Sequence, residues 1–263
     1  DVPRGTVRGM DSLPADFLPG LLSGAEVSVP HGAVGKLLRH AGEMLHWNRA
    51  IRLTAITTPE DVAVKHILDS LLLLAFAPFP GRTLDFGSGA GYPGIPLAIA
   101  LPEERVVLLE SSGKKCAFLS HVRAMLDLRN AEVVQGRLTG RNPLPLGRFE
   151  QIVTRATLPP GEAAGLLVPY LQPGGRLLLM TGPEEASRLA AEEGPAAAAG
   201  EAALPYGATH GRRRRFTLPL GRGSREIREI LAAGDTPSAL PGALCGRGHS
   251  SPASRRRKKQ ECP

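Results

Sequence analysis

The sequence predicts an α/β fold built on a mostly parallel sheet. Three observations carry the prediction. From Thr83 onward, short apolar strand-like segments alternate with helix-periodic ones. That rhythm sets parallel strands side by side with helices on both faces. The first strand runs directly into a glycine turn and then into a helix. Ahead of it, residues 31–80 carry helical periodicity and no strand signal.

The elements follow in order. Residues 1–30 hold Pro, Gly and Ser at close intervals and are expected to be a flexible extension. Val34, Leu37, Leu38, Ala41 and Leu45 line one helix face, which predicts a helix from His31 to about Asn48. Pro59-Glu60-Asp61 opens a second helix that ends before Pro78. Thr83–Phe86 is the first strand, and Ile95–Leu101 the helix after it. Arg105–Leu109 is a second strand, ending in Glu110, and Lys114–Leu126 a helix. Glu132–Val134 and Gln151–Thr154 are strands, and Glu162–Leu171 is a helix. Pro173-Gly174-Gly175 turns into strand Arg176–Met180. Residues 184–200 are Ala- and Glu-rich and read as a broken helix, and Arg214–Leu220 as a last strand. This gives a flexible extension over 1–30, a helical part over 31–80, a ligand-binding domain over 81–230 and a basic, disordered tail over 231–263.

Composition sets limits. The net charge is +7, but from Arg212 to Pro263 there are 13 Lys/Arg against 4 Asp/Glu. Residues 1–211 carry 19 basic and 21 acidic residues. A near-neutral domain therefore carries a basic end, which suits a polyanion partner. Cys116, Cys245 and Cys262 form no CxxC pair or disulfide framework, so a reducing cytoplasm is expected. No stretch reaches the roughly 18 consecutive apolar residues of a membrane span, and no membrane partner is expected. No metal-ligand spacing is present, and nothing in the pattern calls for more than a monomer.

The turn Gly87-Ser88-Gly89-Ala90-Gly91 decides the ligand class. Alternating glycines let a backbone approach a bulky ligand. Gly89 to Gly94 matches GxGxxG, and Glu110 follows at about the distance a dinucleotide fold requires. The register is wrong, because the strand ends before Gly87 and not before Gly89. S-adenosylmethionine (SAM) fits better. Its ammonium wants an acid nearby, which Asp85 supplies, and its ribose hydroxyls suit Glu110. The pattern of acid, glycine turn and acid predicts a class I SAM-dependent methyltransferase fold, Rossmann-like, with a helical N-terminal extension.

Other segments then resemble one family. They are Trp47-Asn48, Leu53-Thr54-Ala55-Ile56 and Lys65-His66-Ile67-Leu68-Asp69-Ser70, then Asp85 through Leu97 with its Pro-Gly-Ile-Pro. Leu109-Glu110-Ser111-Ser112-Gly113-Lys114-Lys115, Gly136-Arg137 and Thr154-Arg155-Ala156 follow in order. Together they resemble the RsmG (GidB) family, bacterial enzymes that methylate guanine N7 in small-subunit ribosomal RNA. The resemblance implies SAM contacts at Gly87, Tyr92, Leu138, Thr139 and Arg155, beside the Gly89 and Glu110 that the turn itself points to. It implies RNA binding or activity at Asn48, His66, Lys114 and Arg137, with Arg155, Arg137 and His66 as the catalytic set. The implied partner is small-subunit rRNA or the assembling small subunit. Thr139, Arg52 and Thr181 depart from the family's Glu, Asn and Lys. Loss of a Lys at 181 is expected to remove charge from the RNA path. A dinucleotide-dependent oxidoreductase and a nonenzymatic RNA-binding protein on a SAM fold are the alternatives.

The chemistry is consistent with that set. Guanine N7 carries a lone pair and no proton, so it needs no general base. Alignment of the reacting atoms should supply most of the catalysis.

Overall fold

The computed structural model describes residues 9–140, 142–155, 158–182 and 203–234. The strands are β1 (Arg82–Phe86), β2 (Arg105–Glu110), β3 (Ala131–Gln135), β4 (Phe149–Thr154), β5 (Leu171–Thr181), β6 (Thr209–Thr217) and β7 (Ser224–Leu231). They form one sheet in the order β3-β2-β1-β4-β5-β7-β6. Strands β1 to β5 pair in parallel, and β7 runs antiparallel to both neighbours. The mostly parallel sheet read from the sequence is therefore present.

Two cores flank it, as strand alternation requires. Val106, Leu108, Val153, Leu178 and Met180 point to one face. Val107, Leu109, Ile152, Leu177 and Leu179 point to the other. The first face is covered by α1 (Phe17–Gly24), α2 (Ala33–Trp47), α5 (Gly94–Ala100) and α6 (Gly113–Met125), and the second by α7 (Pro160–Leu167). The N-terminal helices thus share a core with the sheet.

Helix α1 departs from the flexible stretch expected over 1–30. Leu18 and Leu22 stand one turn apart and are buried, because the segment after Pro59 offers them an apolar surface. In α2, Leu37 and Ala41 are buried as predicted, but the inward face also takes His40 and Met44. The second predicted helix is one continuous run of mixed geometry. It comprises α3 (Pro59–Val62), a π-helical turn (Ala63–Leu68), α4 (Asp69–Leu71) and a 3-10 turn (Leu72–Phe76). π turns leave backbone groups free for other partners and are frequent at functional sites.

The sequence reading missed β7. Its alternating charges look like a solvated face, yet Glu226, Arg228 and Glu229 are buried. Arg213, Arg215 and Arg228 pair with Glu226, and Arg176 and Arg212 pair with Glu229, which compensates the two buried carboxylates in place. The sheet also runs into the tail expected from 231. Leu231 closes β7, Ala232 is buried, and its N–H donates to the Gly175 carbonyl at 2.8 Å. The helix expected at 184–200 and the tail from residue 235 lie outside the described residues.

Candidate active site

Strand order reverses between β1 and β4, since β2 and β3 extend the sheet one way and β5 the other. Ligands of open α/β sheets bind outside the carboxyl ends of strands at such a point. Gly87 follows β1 there, and Arg155 follows β4. Thr154 Oγ1 donates to the Phe86 carbonyl at 2.9 Å and ties the two strand ends together.

The glycine turn is built by its acids. Gly87, Gly89 and Gly91 all have positive φ. A Cβ at Gly87 would meet nothing within 4 Å, so the backbone is open to a ligand there. At Gly91 the space is filled by Ile95, His40 and Leu119. Glu110 Oε2 accepts the Gly89 N–H at 2.9 Å, and Oε1 accepts the Ser112 N–H at 2.8 Å. Asp85 is buried beneath the turn, where Oδ2 accepts the Gly94 N–H at 3.0 Å and Oδ1 has no partner among the described residues. Burial pushes its carboxyl up to about 7 despite the hydrogen bonds from Ser88 and Gly94. A carboxyl so destabilised as an anion is receptive to a cation.

Arg155 and His66 meet at the other side of the reversal. Arg155 Nη1 donates to His66 Nδ1 at 3.0 Å, and Nη2 donates to the Lys65 carbonyl of the π turn at 3.3 Å. A guanidinium only donates, so Nδ1 must be the acceptor and the proton sits on Nε2. That proton goes to Thr54 Oγ1 at 2.9 Å. Burial, then the Arg155 charge, pushes His66 down to about 3, so the ring is neutral. Tyr92 lies between His66 and His40, with both centroid separations at 4.5 Å. Burial raises its phenol. Asp69, fully buried, accepts two bonds from Arg225 of β7, at 2.5 and 2.8 Å, and faces Arg155 at 3.5 Å. Arg155 is thus held from three sides: a neutral ring, a carbonyl and a shared carboxylate.

The other predicted residues fall into two groups. Asn48 caps α2, and its Oδ1 accepts the N–H groups of Leu53 and Thr54 while Nδ2 donates to the Thr54 carbonyl. It shapes the loop that carries Thr54 to His66. Leu138 is buried beyond β3, and Thr139 is exposed with Oγ1 accepting the Asn142 N–H at 3.1 Å. Lys114 and Arg137 are exposed at the same strand ends. Thr181 is buried in β5 and not at the surface. His66 is likewise not the surface histidine its helix position allows, because the π turn directs it inward. Trp47 packs on Phe118 with centroids 5.6 Å apart, a core role. Sequence reading missed His40, Thr54, Asp69 and Arg225 as site supports. Thr54 and Asp69 stood inside quoted segments; Arg225 gave no signal.

The residues fit SAM. The turn is open at Gly87, Glu110 presents two carboxylate oxygens beside it, and Asp85 keeps an orphaned oxygen below it. The model of a family described as rRNA small subunit methyltransferase G matches residues 34–217. The chain belongs to this family. Its relatives include the ribosomal RNA small subunit methyltransferase G of Anaeromyxobacter sp. (strain Fw109-5), 41% identical over 78% of this chain and 92% of the relative. That of Solibacter usitatus (strain Ellin6076) is 39% identical over 77% and 93%. A solved branched-chain polyamine synthase from Thermus thermophilus, bound to 5′-methylthioadenosine, superposes with a TM-score of 0.50 over 73% of this chain and 63% of its own, at 21% identity. That likeness concerns the fold alone. Family membership agrees with the reading of a SAM-dependent methyltransferase of small-subunit rRNA and displaces the oxidoreductase and nonenzymatic alternatives. Among the described residues, no helix is long and apolar enough to cross a membrane.

Proposed function

We propose that this chain transfers the methyl group of SAM to N7 of a guanine in small-subunit rRNA. The observation that carries the choice of atom is the state of His66. Both of its ring nitrogens are engaged, by Arg155 and Thr54, and burial keeps it neutral. The base nearest the reversal point therefore has no free lone pair for proton abstraction. Asp85 is sealed under the turn. A site with a fixed guanidinium and no available base suits a nucleophile with nothing to lose. Guanine N7 is such a nucleophile, and an exocyclic amine or a ribose hydroxyl is not.

SAM, when bound, supplies an electrophilic methyl group. Gly87 and Gly89 hold it through the backbone, Glu110 accepts from its ribose, and Tyr92, Leu138 and Thr139 complete its surroundings. Arg155 orients the guanine through its edge oxygen or a flanking phosphate, with His66 fixing the guanidinium plane. Arg137 and Lys114 bind RNA phosphates at the rim, and Asn48 acts through the loop it shapes. The helical part over 31–80 and the domain over 81–230 work as one unit, in a monomer in the cytoplasm, and residues 231–263 add nonspecific attraction to RNA.

The deciding experiment incubates the protein and SAM with small-subunit rRNA that lacks N7 methylation, free and in assembling subunits. Borohydride–aniline cleavage then maps any new 7-methylguanine. A single new cleavage site is expected. Methyl incorporation at another atom, or none despite SAM binding, overturns the reading.

A further inference from the structure

A charge problem is left over. Residues 1–211 carry fewer basic than acidic residues, which is a poor starting point for gripping RNA. The run Arg212–Arg215 is engaged within the fold. Arg212 bonds Glu229, Arg213 and Arg215 pair with Glu226, and Arg214 donates to the Ala75 carbonyl and lies over Phe216. A second arginine group lines a cavity of about 500 Å³ at the far end of β1 to β3. There Arg82 is spent on two carbonyls, Arg129 on Asp127, and Glu132 stands among them.

Helices α2 and α6 are different. Residues 33–52 contain Lys36, Arg39, Arg49 and Arg52 against one acid, Glu43. Residues 113–125 contain Lys114, Lys115 and Arg123 and no acid. Glu43 bonds His121 at 3.1 Å, so the single acid is used to join the two helices. Trp47 reinforces the seam against Phe118 and His121. Lys36, Arg39, Glu43 and His46 recur at helical spacing and share a face of α2, and Lys114 shares a face of α6 with His121. Among the described residues, Lys36, Arg39, Arg49, Arg52, Lys114 and Lys115 pair with no acid. The seam leads to the site from both sides. His40 of α2 bonds the Ala90 carbonyl of the glycine turn, the Asn48 loop carries Arg49 and Arg52 toward Thr54 and His66, and α6 starts just after Glu110.

We propose that the outer face of α2, its following loop and the first turn of α6 is the surface on which the phosphates of the RNA substrate lie. The proposal rests on the rRNA reading above. Unpaired cations held together by a scaffold repel one another, and a polyanion releases that repulsion together with its own counterions. The 15-residue α2 gives the track a length of about 22 Å, enough for several phosphates.

The test titrates a fluorescent small-subunit rRNA fragment, without methyl transfer, across a salt series. The variant carries Lys36→Gln, Arg39→Gln, Arg49→Gln and Arg52→Gln. It should bind about tenfold or more weakly at low salt, with a log–log salt slope shallower by about three. SAM affinity should be unchanged. The control, Arg105→Gln with Arg129→Gln, should match the parent. If the fourfold variant also loses SAM affinity, exchange of Lys and Arg at the same positions keeps the charge and should restore RNA binding. An unchanged slope in the Gln variant, or an equal loss in the control, overturns the surface. Salt-sensitive binding without N7 methylation overturns the function and leaves the surface standing.

Discussion

Two arginine-rich regions of this chain look alike on paper and differ in the fold. Strand β6 carries four consecutive arginines, and the α2–α6 seam carries six scattered cations. Three arginines of the dense run are tied to acids, because β7 brings Glu226 and Glu229 against Arg212, Arg213 and Arg215 from the neighbouring strand. Among the described residues the scattered set pairs with no acid, because its one acid is spent on His121. Charge density in a sequence therefore says little about charge available to a partner; what sits opposite in the fold decides. An acid opposite turns cations into structural parts, whereas exposure without acids turns them into a contact surface.

The sharpest test of this contrast is Asp69→Ala, which removes the shared carboxylate between Arg155 and Arg225. A buried partner lost from such a set costs about 3–5 kcal/mol, read by denaturant unfolding. Transfer should fall by a hundredfold or more through kcat, with the RNA salt slope intact. Arg225→Lys should keep most stability yet lower kcat, since one ammonium cannot reproduce the two-pronged bond. An unaltered kcat in both would separate the clamp from the chemistry.

The next effect is one of pH. Asp85 is raised to about 7 by burial, so its contribution to stability is full below the ordinary carboxylate range and lost as pH rises through 7. Asp85→Asn should therefore stabilise the SAM-free protein by roughly 2–4 kcal/mol at pH 8 and by little at pH 4. His40 has the opposite sign. Burial pushes it down to about 4, outweighing the Ala90 hydrogen bond. Its stabilising share is present above pH 6.5 and lost as pH falls toward 4. His40→Gln should flatten the melting temperature between those limits. A parallel pH profile in the variant would remove His40 from the account.

Smaller still is Glu229→Gln. Burial alone would raise Glu229, but hydrogen bonds from Arg212 and the Arg212 and Arg176 charges hold it below the usual range. The change should cost about 1–3 kcal/mol by thermal unfolding, and leave RNA affinity within twofold. A clear gain in RNA binding would mean that freeing Arg212 creates a contact surface after all. Arg212→Gln, at an exposed guanidinium, should move stability by less than about 1 kcal/mol.

The parts legible in the sequence were those fixed by local patterns. The alternation after Thr83 placed β1 to β5 and their helices, and the glycine turn with Glu110 placed the ligand end. What stayed hidden depends on contacts across long separations. Strand β7 was unreadable because its acids find their arginines only once β6 lies beside it. The inward turn of His66 depends on π geometry, which no residue pattern announces. Asn48 read as an RNA contact, and its hydrogen bonds to the loop below it were not readable from the residue pattern.

The position of β7 has a consequence in time. This strand lies between β5 and β6, although it follows both in the chain. A growing polypeptide emerges N-terminus first at about 5–20 residues per second. The glycine turn, Glu110, His66 and Arg155 all leave the ribosome before Arg225. Until that residue arrives, Asp69 lacks its two-pronged partner and β6 has no neighbour joining it to the sheet. A nascent chain long enough to contain the whole glycine turn still lacks the Arg225 bonds to Asp69, which form only after nearly all of its described length has been synthesised.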